Sequence, residues 1–309
     1  MKKIKKKYIF IIIGILIGLV ISVGGVYAAV TITGTNVTYS NSSSGLTSTT
    51  VQGAIDELNN KTDIRKMSNF VSVYKYSTAT STKCITGEES TCVKSTCYKT
   101  KTKGSCSAGT IIKYKVNDAT VVTFHVMFDN GSTLTMQSQK NISYNSAWYG
   151  TSTSDTNTSG PMSLLPLLES ITAGWSNVNN QTYTMGTTVF KTNAYTGCSD
   201  YNSCTTNTYT LASRTSKARM ITVQEAAALG CLGISTPKSC PIWMYNYLNN
   251  STSYGGTIND SAASDGYWTM SASTNSQIGA FFIYYYGQLR YDNYVYVKYG
   301  ARAVVVVSK

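Results

Sequence analysis

The feature that most constrains this chain is an apolar run near its start. Residues 8–26, from Tyr8 to Val26, carry no charge, and Lys2, Lys3, Lys5, Lys6 and Lys7 precede them. A run of about 19 such residues is long enough to cross a bilayer as a helix. The lysines favour the cytoplasmic side and so place the rest of the chain outside. The run ends in Gly25-Val26-Tyr27-Ala28-Ala29, which also has the small residues of a signal-peptide cleavage site. Residues 1–29 therefore read as an uncleaved anchor or a cleaved signal peptide, and the length of the run favours the anchor. The anchor makes a single-pass protein of the cell membrane, with its C-terminal domain extracellular. Cleavage near Ala28 makes a secreted one. Both readings export residues 30–309.

Export governs the cysteines. All eight follow the apolar run: Cys84, Cys92, Cys97, Cys106, Cys198, Cys204, Cys231 and Cys240. An even number in an exported chain predicts disulfides. The close spacings predict local bridges Cys198–Cys204 and Cys231–Cys240. Among Cys84, Cys92, Cys97 and Cys106 three pairings are possible, and the sequence does not choose. The spacings do not fit a zinc site, and His125 is the only histidine. No metal or cofactor is expected.

Of the formal net charge of +12, five lysines belong to the membrane flank. Much of the remainder lies between Lys83 and Lys115, alternating with threonine, serine and cysteine. This segment reads as a solvated loop stapled by disulfides. It lies outside the cell and has no interleaved base-stacking aromatics, which argues against a nucleic-acid partner. Only 13% of residues are charged, which suits a surface protein of strands and polar loops.

The chain divides by pattern. Residues 30–66 form a polar spacer rich in Thr, Ser, Gly and Asn, carrying a short helix over 50–60. Val51, Ala54, Ile55 and Leu58 fall on one face of that helix, and Thr49 and Gln52 have capping-box spacing. A helix this short is marginal alone, so its apolar stripe needs a partner, and self-association is one candidate. Residues 67–106 read as a cysteine-braced insert, and 107–309 as one domain. Within it, strands are expected at Ile111–Val116, Thr120–Phe128 and Ser132–Met136, with Asp129-Asn130-Gly131 as a hairpin turn. A helix is expected over Pro166–Gly174, with Leu167, Leu168, Ile171 and Trp175 near one face. Thr222 and Glu225 make a capping box for a helix that Gly230 terminates. Pro241 opens another, carrying Trp243, Met244, Tyr247 and Leu248. Further strands are expected at Tyr267–Ser271, Ala280–Tyr286 and Arg302–Val307. Mixed strands and segregated helices predict an α+β fold with antiparallel sheets and a few helices.

Tyrosine, asparagine and aspartate crowd the stretch from Tyr284 to Tyr299, between apolar strand segments. Tyrosine supplies large amphipathic contact area at low entropic cost, so such bands serve as binding surfaces. The candidate ligand-binding residues are Tyr284, Tyr286, Tyr291, Asp292, Asn293, Tyr294 and Tyr296. Alternation puts Tyr284 and Tyr286 on one strand face, with Ile283 and Tyr285 on the other. Trp268 and Val304–Val307 are expected to form the floor. The expected partner is a surface protein or glycan. The competing reading is an aromatic ladder that only stabilises a sheet, in a structural component of an envelope or fibre.

Three segments resemble a known superfamily. Arg219-Met220-Ile221-Thr222-Val223-Gln224-Glu225-Ala226 is similar to the Arg-Leu-Pro-Thr-x-x-Glu-Trp segment of the formylglycine-generating-enzyme-like superfamily. Gly266-Tyr267-Trp268-Thr269-Met270-Ser271 resembles its Tyr-Trp-Ser-Ser segment. Gly300-Ala301-Arg302-Ala303-Val304 resembles its closing Gly-Val-Arg-Pro-Val. The resemblance implies a C-type-lectin-like domain, as in exported bacterial paralogues and in the variable proteins of diversity-generating retroelements. In the latter the ligand surface lies between the second and third segments. Ile221, Ala226 and Ala303 depart from the superfamily's usual proline, tryptophan and proline.

No catalytic constellation emerges. His125 alternates with Phe124, Val126 and Phe128 and reads as a structural histidine on the opposite strand face. Glu225 reads as a helix cap, and Arg219 and Arg302 as internal polar anchors. Convergent carboxylates for glycoside hydrolysis are missing from the pattern. The chain reads as a recognition or adhesion protein rather than an enzyme.

Overall fold

The computed structural model describes residues 47, 50–77, 92–152, 157, 160–184, 189–190, 205–206, 213–231, 238–254, 265–272, 279–292 and 294–309. The apolar run 8–26 lies outside the described residues, as do Cys84, Cys198, Cys204 and Asn293. Among the described residues no helix is long and apolar enough to cross a membrane. The chain forms two compact units, Met1–Asn59 and Asn60–Lys309.

Helix α1 spans Val51–Ser68. It is longer than the helix expected over 50–60, because residues 60–67 contain no glycine or proline to stop it. Thr50 Oγ1 accepts the Gly53 N–H at 3.1 Å, while Thr49, of the expected capping box, lies outside the described residues. Glu57 accepts from the backbone and hydroxyl of Thr47, at 2.8 and 3.1 Å. On the apolar stripe Ala54 is buried, whereas Val51, Ile55 and Leu58 are 45%, 46% and 51% exposed.

Fifteen strands are described. The larger sheet contains β1 (Phe70–Tyr74), β2 (Ile111–Lys115), β3 (Val121–Asp129), β4 (Thr133–Ser138), β15 (Val304–Ser308) and β10 (Ala218–Arg219), in that spatial order. All its pairs are antiparallel. Strand β1, expected within a separate insert, is thus the edge strand of the main sheet. The second sheet has the order β13 (Gln288–Asp292), β12 (Ala280–Tyr284), β11 (Gly266–Ala272), β14 (Lys298–Ala301) and β5 (Ser143–Ala147). Two small antiparallel pairs complete the set: β6 (Gln181–Thr184) with β9 (Ser213–Ser216), and β7 (Val189–Phe190) with β8 (Thr205–Thr206). Helices α2 (Leu164–Thr172), α3 (Val223–Ala228) and α4 (Ile242–Tyr245) are short and few. The fold is α+β. One expectation fails in detail: β14 joins β11 in parallel, through Tyr267 and Gly300. It lies on the side of β11 opposite the β12–β13 hairpin, between β11 and β5.

The larger sheet is buried on both faces. From β3, Phe124 and Val126 enter one core with Met136, Trp268, Val305 and Val307. Met127 enters a second core with Val304, Ile221, Trp243, Met244 and Tyr267. Burial on both faces explains why Val304–Val307 reads as an uninterrupted apolar run rather than an alternation.

Helix α2 corrects the expected face. Leu164, Leu165, Leu168 and Thr172 are buried, while Leu167 and Ile171 are exposed. The helix starts two residues before Pro166, so the stripe facing the core is the i, i+4, i+8 row through Leu164. Trp175 is buried beyond its end, edge-on to Phe124 at 6.1 Å.

The Asp129–Gly131 turn forms, closing with Asn130 N donating to Thr133 O at 3.2 Å. Gly131 alone adopts positive φ, at 100°. Asn130 instead acts through its side chain, accepting from Ser132 N and Thr133 N at 3.0 and 2.7 Å.

Two disulfides are described, Cys97–Cys106 and Cys231–Cys240. The first removes the ambiguity left by the spacing of the first four cysteines. Cys92 is also disulfide-bonded. The expected Cys198–Cys204 bridge falls outside the described residues.

Candidate functional site

The three resembling segments, far apart in sequence, meet in space. Arg219 pairs with Val304 across β10 and β15. Met270 N donates to Ile221 O at 2.8 Å, and Val223 N donates to Ser271 Oγ at 3.1 Å. Tyr267 pairs with Gly300. The Arg302 guanidinium lies 4.5 Å from the centre of the Tyr267 ring.

Each candidate catalytic group in this region is engaged structurally. Thr222 Oγ1 accepts from Glu225 N at 3.1 Å, and Glu225 Oε2 accepts from Thr222 N at 2.9 Å. Arg219 donates to both Glu225 carboxylate oxygens, through Nη1 at 2.7 Å and through Nη2. Arg302 is buried and donates to main-chain oxygens at the end of α4: Met244 O at 3.0 Å and Asn246 O at 2.7 Å. A helix C-terminus is the favourable end for a cation. Burial pushes its pKa below the usual arginine value, which the Tyr267 and Tyr247 hydroxyls oppose.

His125 is buried against Trp243, with ring centres 5.3 Å apart. Its Nδ1–H donates to Gly109 O at 3.0 Å, which leaves Nε2 to accept from Gln139 Nε2 at 3.2 Å. Burial lowers its pKa to about 4, against the raising effect of the Gly109 bond, and Arg302 lowers it further. A neutral, doubly hydrogen-bonded imidazole in a core is a structural group.

The tyrosine band is built on the β12–β13 hairpin. Tyr284 pairs with Gln288, so Tyr285, Tyr286 and Gly287 form its loop. Gly287 has φ 69° and donates to Tyr284 O at 2.9 Å. A three-residue hairpin loop places a residue in this left-handed region, which glycine tolerates. A Cβ here would also meet the Tyr245 ring at 2.6 Å.

The loop gathers its tyrosines rather than alternating them. The ring centres of Tyr284 and Tyr285 are 4.3 Å apart, those of Tyr285 and Tyr286 4.2 Å, and those of Tyr284 and Tyr286 4.7 Å. The expected separation of Tyr284 and Tyr286 from Tyr285 fails because β12 ends at Tyr284 and the chain then turns. All three are half-buried. Arg290 lies over the Tyr284 ring at 5.1 Å. Desolvation raises the Tyr284 pKa, and desolvation with hydrogen bonding among the three raises that of Tyr285.

Beneath the loop is a ring-to-ring support. Phe282 stacks on Tyr299 at 4.3 Å and meets Tyr284 edge-on at 5.5 Å. Trp268 packs edge-on against both Phe282 and Tyr299, at 5.6 and 5.0 Å. Trp268 lies under the loop; the Val304–Val307 run lies in the other sheet, with Val305 and Val307 in the same core as Trp268 and Phe282.

The remaining candidates are divided. Tyr291 pairs with Phe281, and Asp292 with Ala280 at the end of the hairpin away from the loop. At about 3.4 Å per residue they are roughly 10–14 Å along the strand from Tyr284. Tyr294 is 41% exposed, and its ring centre is 5.2 Å from that of Tyr296 in the turn before β14. Asn293 lies outside the described residues. Tyr285, Arg290 and Tyr299 were not among the candidates. Strand alternation places Tyr285 on the opposite face, and Tyr299 becomes a neighbour only through the β11–β14 pairing. No family model, curated protein or solved structure matches this chain.

Proposed function

We propose that this is a surface-displayed recognition or adhesion protein, held at the membrane by residues 8–26. In this reading its ligand is a surface protein or glycan engaged by the β12–β13 loop. The observation that carries the reading is the cluster of Tyr284, Tyr285 and Tyr286 on a turn, each half-buried, over the stack of Phe282, Tyr299 and Trp268. Amphipathic rings held by a rigid floor lose little entropy on binding, which makes them good anchors. Tyr294 and Tyr296 form a second, smaller aromatic pair for the same surface role. A C-type-lectin-like fold belongs to this proposal, supported by the convergence of its three motif segments. The test is binding of the Tyr285→Ala/Tyr286→Ala protein to intact cells of the same source, beside its thermal melt. Loss of binding with a near-native melt supports the reading; unfolding with no separable binding defect refutes it. Protease added to sealed cells should also reach residues 107–309, and complete protection would refute the topology.

A second reading has its own observation. Val51, Ile55 and Leu58 place a half-exposed apolar stripe on α1, which suits self-association in a stalk or fibre. Sedimentation of wild type against Ile55→Lys tests it: a mass that falls in the variant supports assembly, and a monomeric wild type refutes it.

A further inference from the structure

A cleft of about 370 Å³ lies away from the tyrosine loop, where the end of α1, the β2–β3 turn, the segment after α2 and the end of β15 come together. Its volume is within the usual range of small-ligand sites, but its chemistry is unusual for one. Such sites are mostly apolar. This one is lined by amides, hydroxyls, one ammonium and one carboxylate, and includes no aliphatic side chain.

The walls are held by main-chain bonds. Lys115 N donates to Asn69 O at 2.8 Å, Asn177 N to Val116 O at 3.0 Å, and Asn179 N to Val306 O at 3.0 Å. The amides are oriented too. Asn177 Nδ2 donates to Lys115 O, and Asn179 Nδ2 to Ser308 Oγ, each at 3.2 Å. These bonds fix the side chains and leave both amide oxygens without a partner among the described residues. The Tyr114 hydroxyl donates to Asn177 O at 3.0 Å and is also bonded by the Asn69 side chain. Burial pushes its pKa up to about 12, the Asn69 bond opposing, so it stays neutral.

Charge narrows the ligand. Lys66 and Asp118 line the cleft, and neither forms an ion pair among the described residues. Their charges cancel, so the cleft has no preference for an anion. It instead presents fixed acceptors beside donors. A sugar hydroxyl is both donor and acceptor, and adjacent hydroxyls on a ring match such a set.

We propose that this cleft binds a neutral saccharide. Sugar hydroxyls donate to the amide oxygens of Asn177 and Asn179 and to the Asp118 carboxylate, and accept from Lys66 and Ser176. Tyr114, the aromatic residue of the lining, is only 2% exposed, so recognition is by hydrogen bonds. The site is separate from the tyrosine loop and does not rest on the role proposed for it.

The test uses the full-length oxidised protein in a detergent without a sugar headgroup. Lactose, maltose and chitobiose are screened by saturation-transfer NMR, and affinities are measured by calorimetry. Ser176→Trp fills the cleft from an exposed position whose side chain makes no bond among the described residues, and Asn179→Ala removes one acceptor. Saturable binding of at least one sugar, weakened roughly tenfold or more in both variants and unchanged in Tyr286→Ala, is the expected result. Thermal melts matching wild type show that the variants fold. Four results would each overturn the proposal: no transfer from any of the three sugars, wild-type affinity in Ser176→Trp, loss of binding in Tyr286→Ala, or stronger binding of glycine or inorganic phosphate.

Discussion

The Lys309 ammonium lies 2.9 Å from Asp129 Oδ2, with both side chains fully excluded from solvent. It also donates to Asp129 Oδ1 at 3.1 Å and to Ser105 Oγ at 2.7 Å. The carboxylate accepts further bonds from Ser105 Oγ, Cys106 N and Gly131 N, at 2.9, 2.9 and 2.8 Å. One pair thus ties the Cys97–Cys106 loop, the β3–β4 turn and the end of β15 together. Removing one partner strands a buried charge, so Lys309→Ala should lose about 3–5 kcal/mol in denaturant unfolding. A loss below about 1 kcal/mol would show that solvent reaches the site.

The same carboxylate sets an acid limit. Desolvation would raise the Asp129 pKa, but the bonds from Cys106, Lys309, Gly131 and Ser105 outweigh it and hold the value low. A folded pKa below the unfolded one gives stability that is present above the unfolded value, near 3.8, and lost as pH falls through the folded value. Stability should therefore drop below about pH 4 in wild type, with that slope reduced in Asp129→Asn.

His125 acts in a higher window. Its pKa falls from 6.5 unfolded to about 4 folded. The unfolded chain therefore binds the extra proton between these values, and stability declines as pH is lowered through that window. Above the unfolded value the contribution is complete. The full effect is about 3 kcal/mol. Unfolding measured at pH steps should show this slope in wild type and lose it in His125→Gln.

At the start of α3 the Thr222 hydroxyl accepts from Glu225 N. Thr222→Ala should cost about 1 kcal/mol. An unchanged unfolding midpoint would mean that the Arg219–Glu225 pair alone fixes this helix end.

Gly287→Ala should destabilise by more than about 1 kcal/mol, since alanine is strained at this positive φ and its Cβ collides with Tyr245. In the same variant the Tyr284–Tyr286 cluster should loosen, seen as altered tyrosine ring shifts in NMR. A native-like melt with unchanged shifts would show that the loop needs no left-handed residue.

Local chemistry was legible where the cause was local. Thr222 and Glu225 are three residues apart, and a capping box needs nothing else. The strands β2, β3, β4, β11 and β12 follow from β-branched and aromatic runs bounded by turn residues. The Cys231–Cys240 bridge follows from the short spacing of two cysteines. Arg302 and Glu225 were readable as structural because their surroundings held apolar neighbours and cap signals rather than a paired base.

Whatever depended on distant partners was decided by tertiary structure. Burial on both faces of the larger sheet hid the alternation of Val304–Val307. Leu167 and Ile171 are as apolar as Leu164 and Leu168, so only packing chose which row of α2 turned inward. Cys97–Cys106 needed the β3–β4 turn and Lys309 to fix its loop. Strand alternation predicted Tyr284 with Tyr286 and against Tyr285, but the end of β12 brought all three together. The hairpin register then carried Tyr291 and Asp292 to its other end. Sequence specifies residue types and short-range geometry, because backbone sterics and capping act over a few residues. Which of those residues become neighbours is fixed by strand register and by burial shared among elements far apart in the chain.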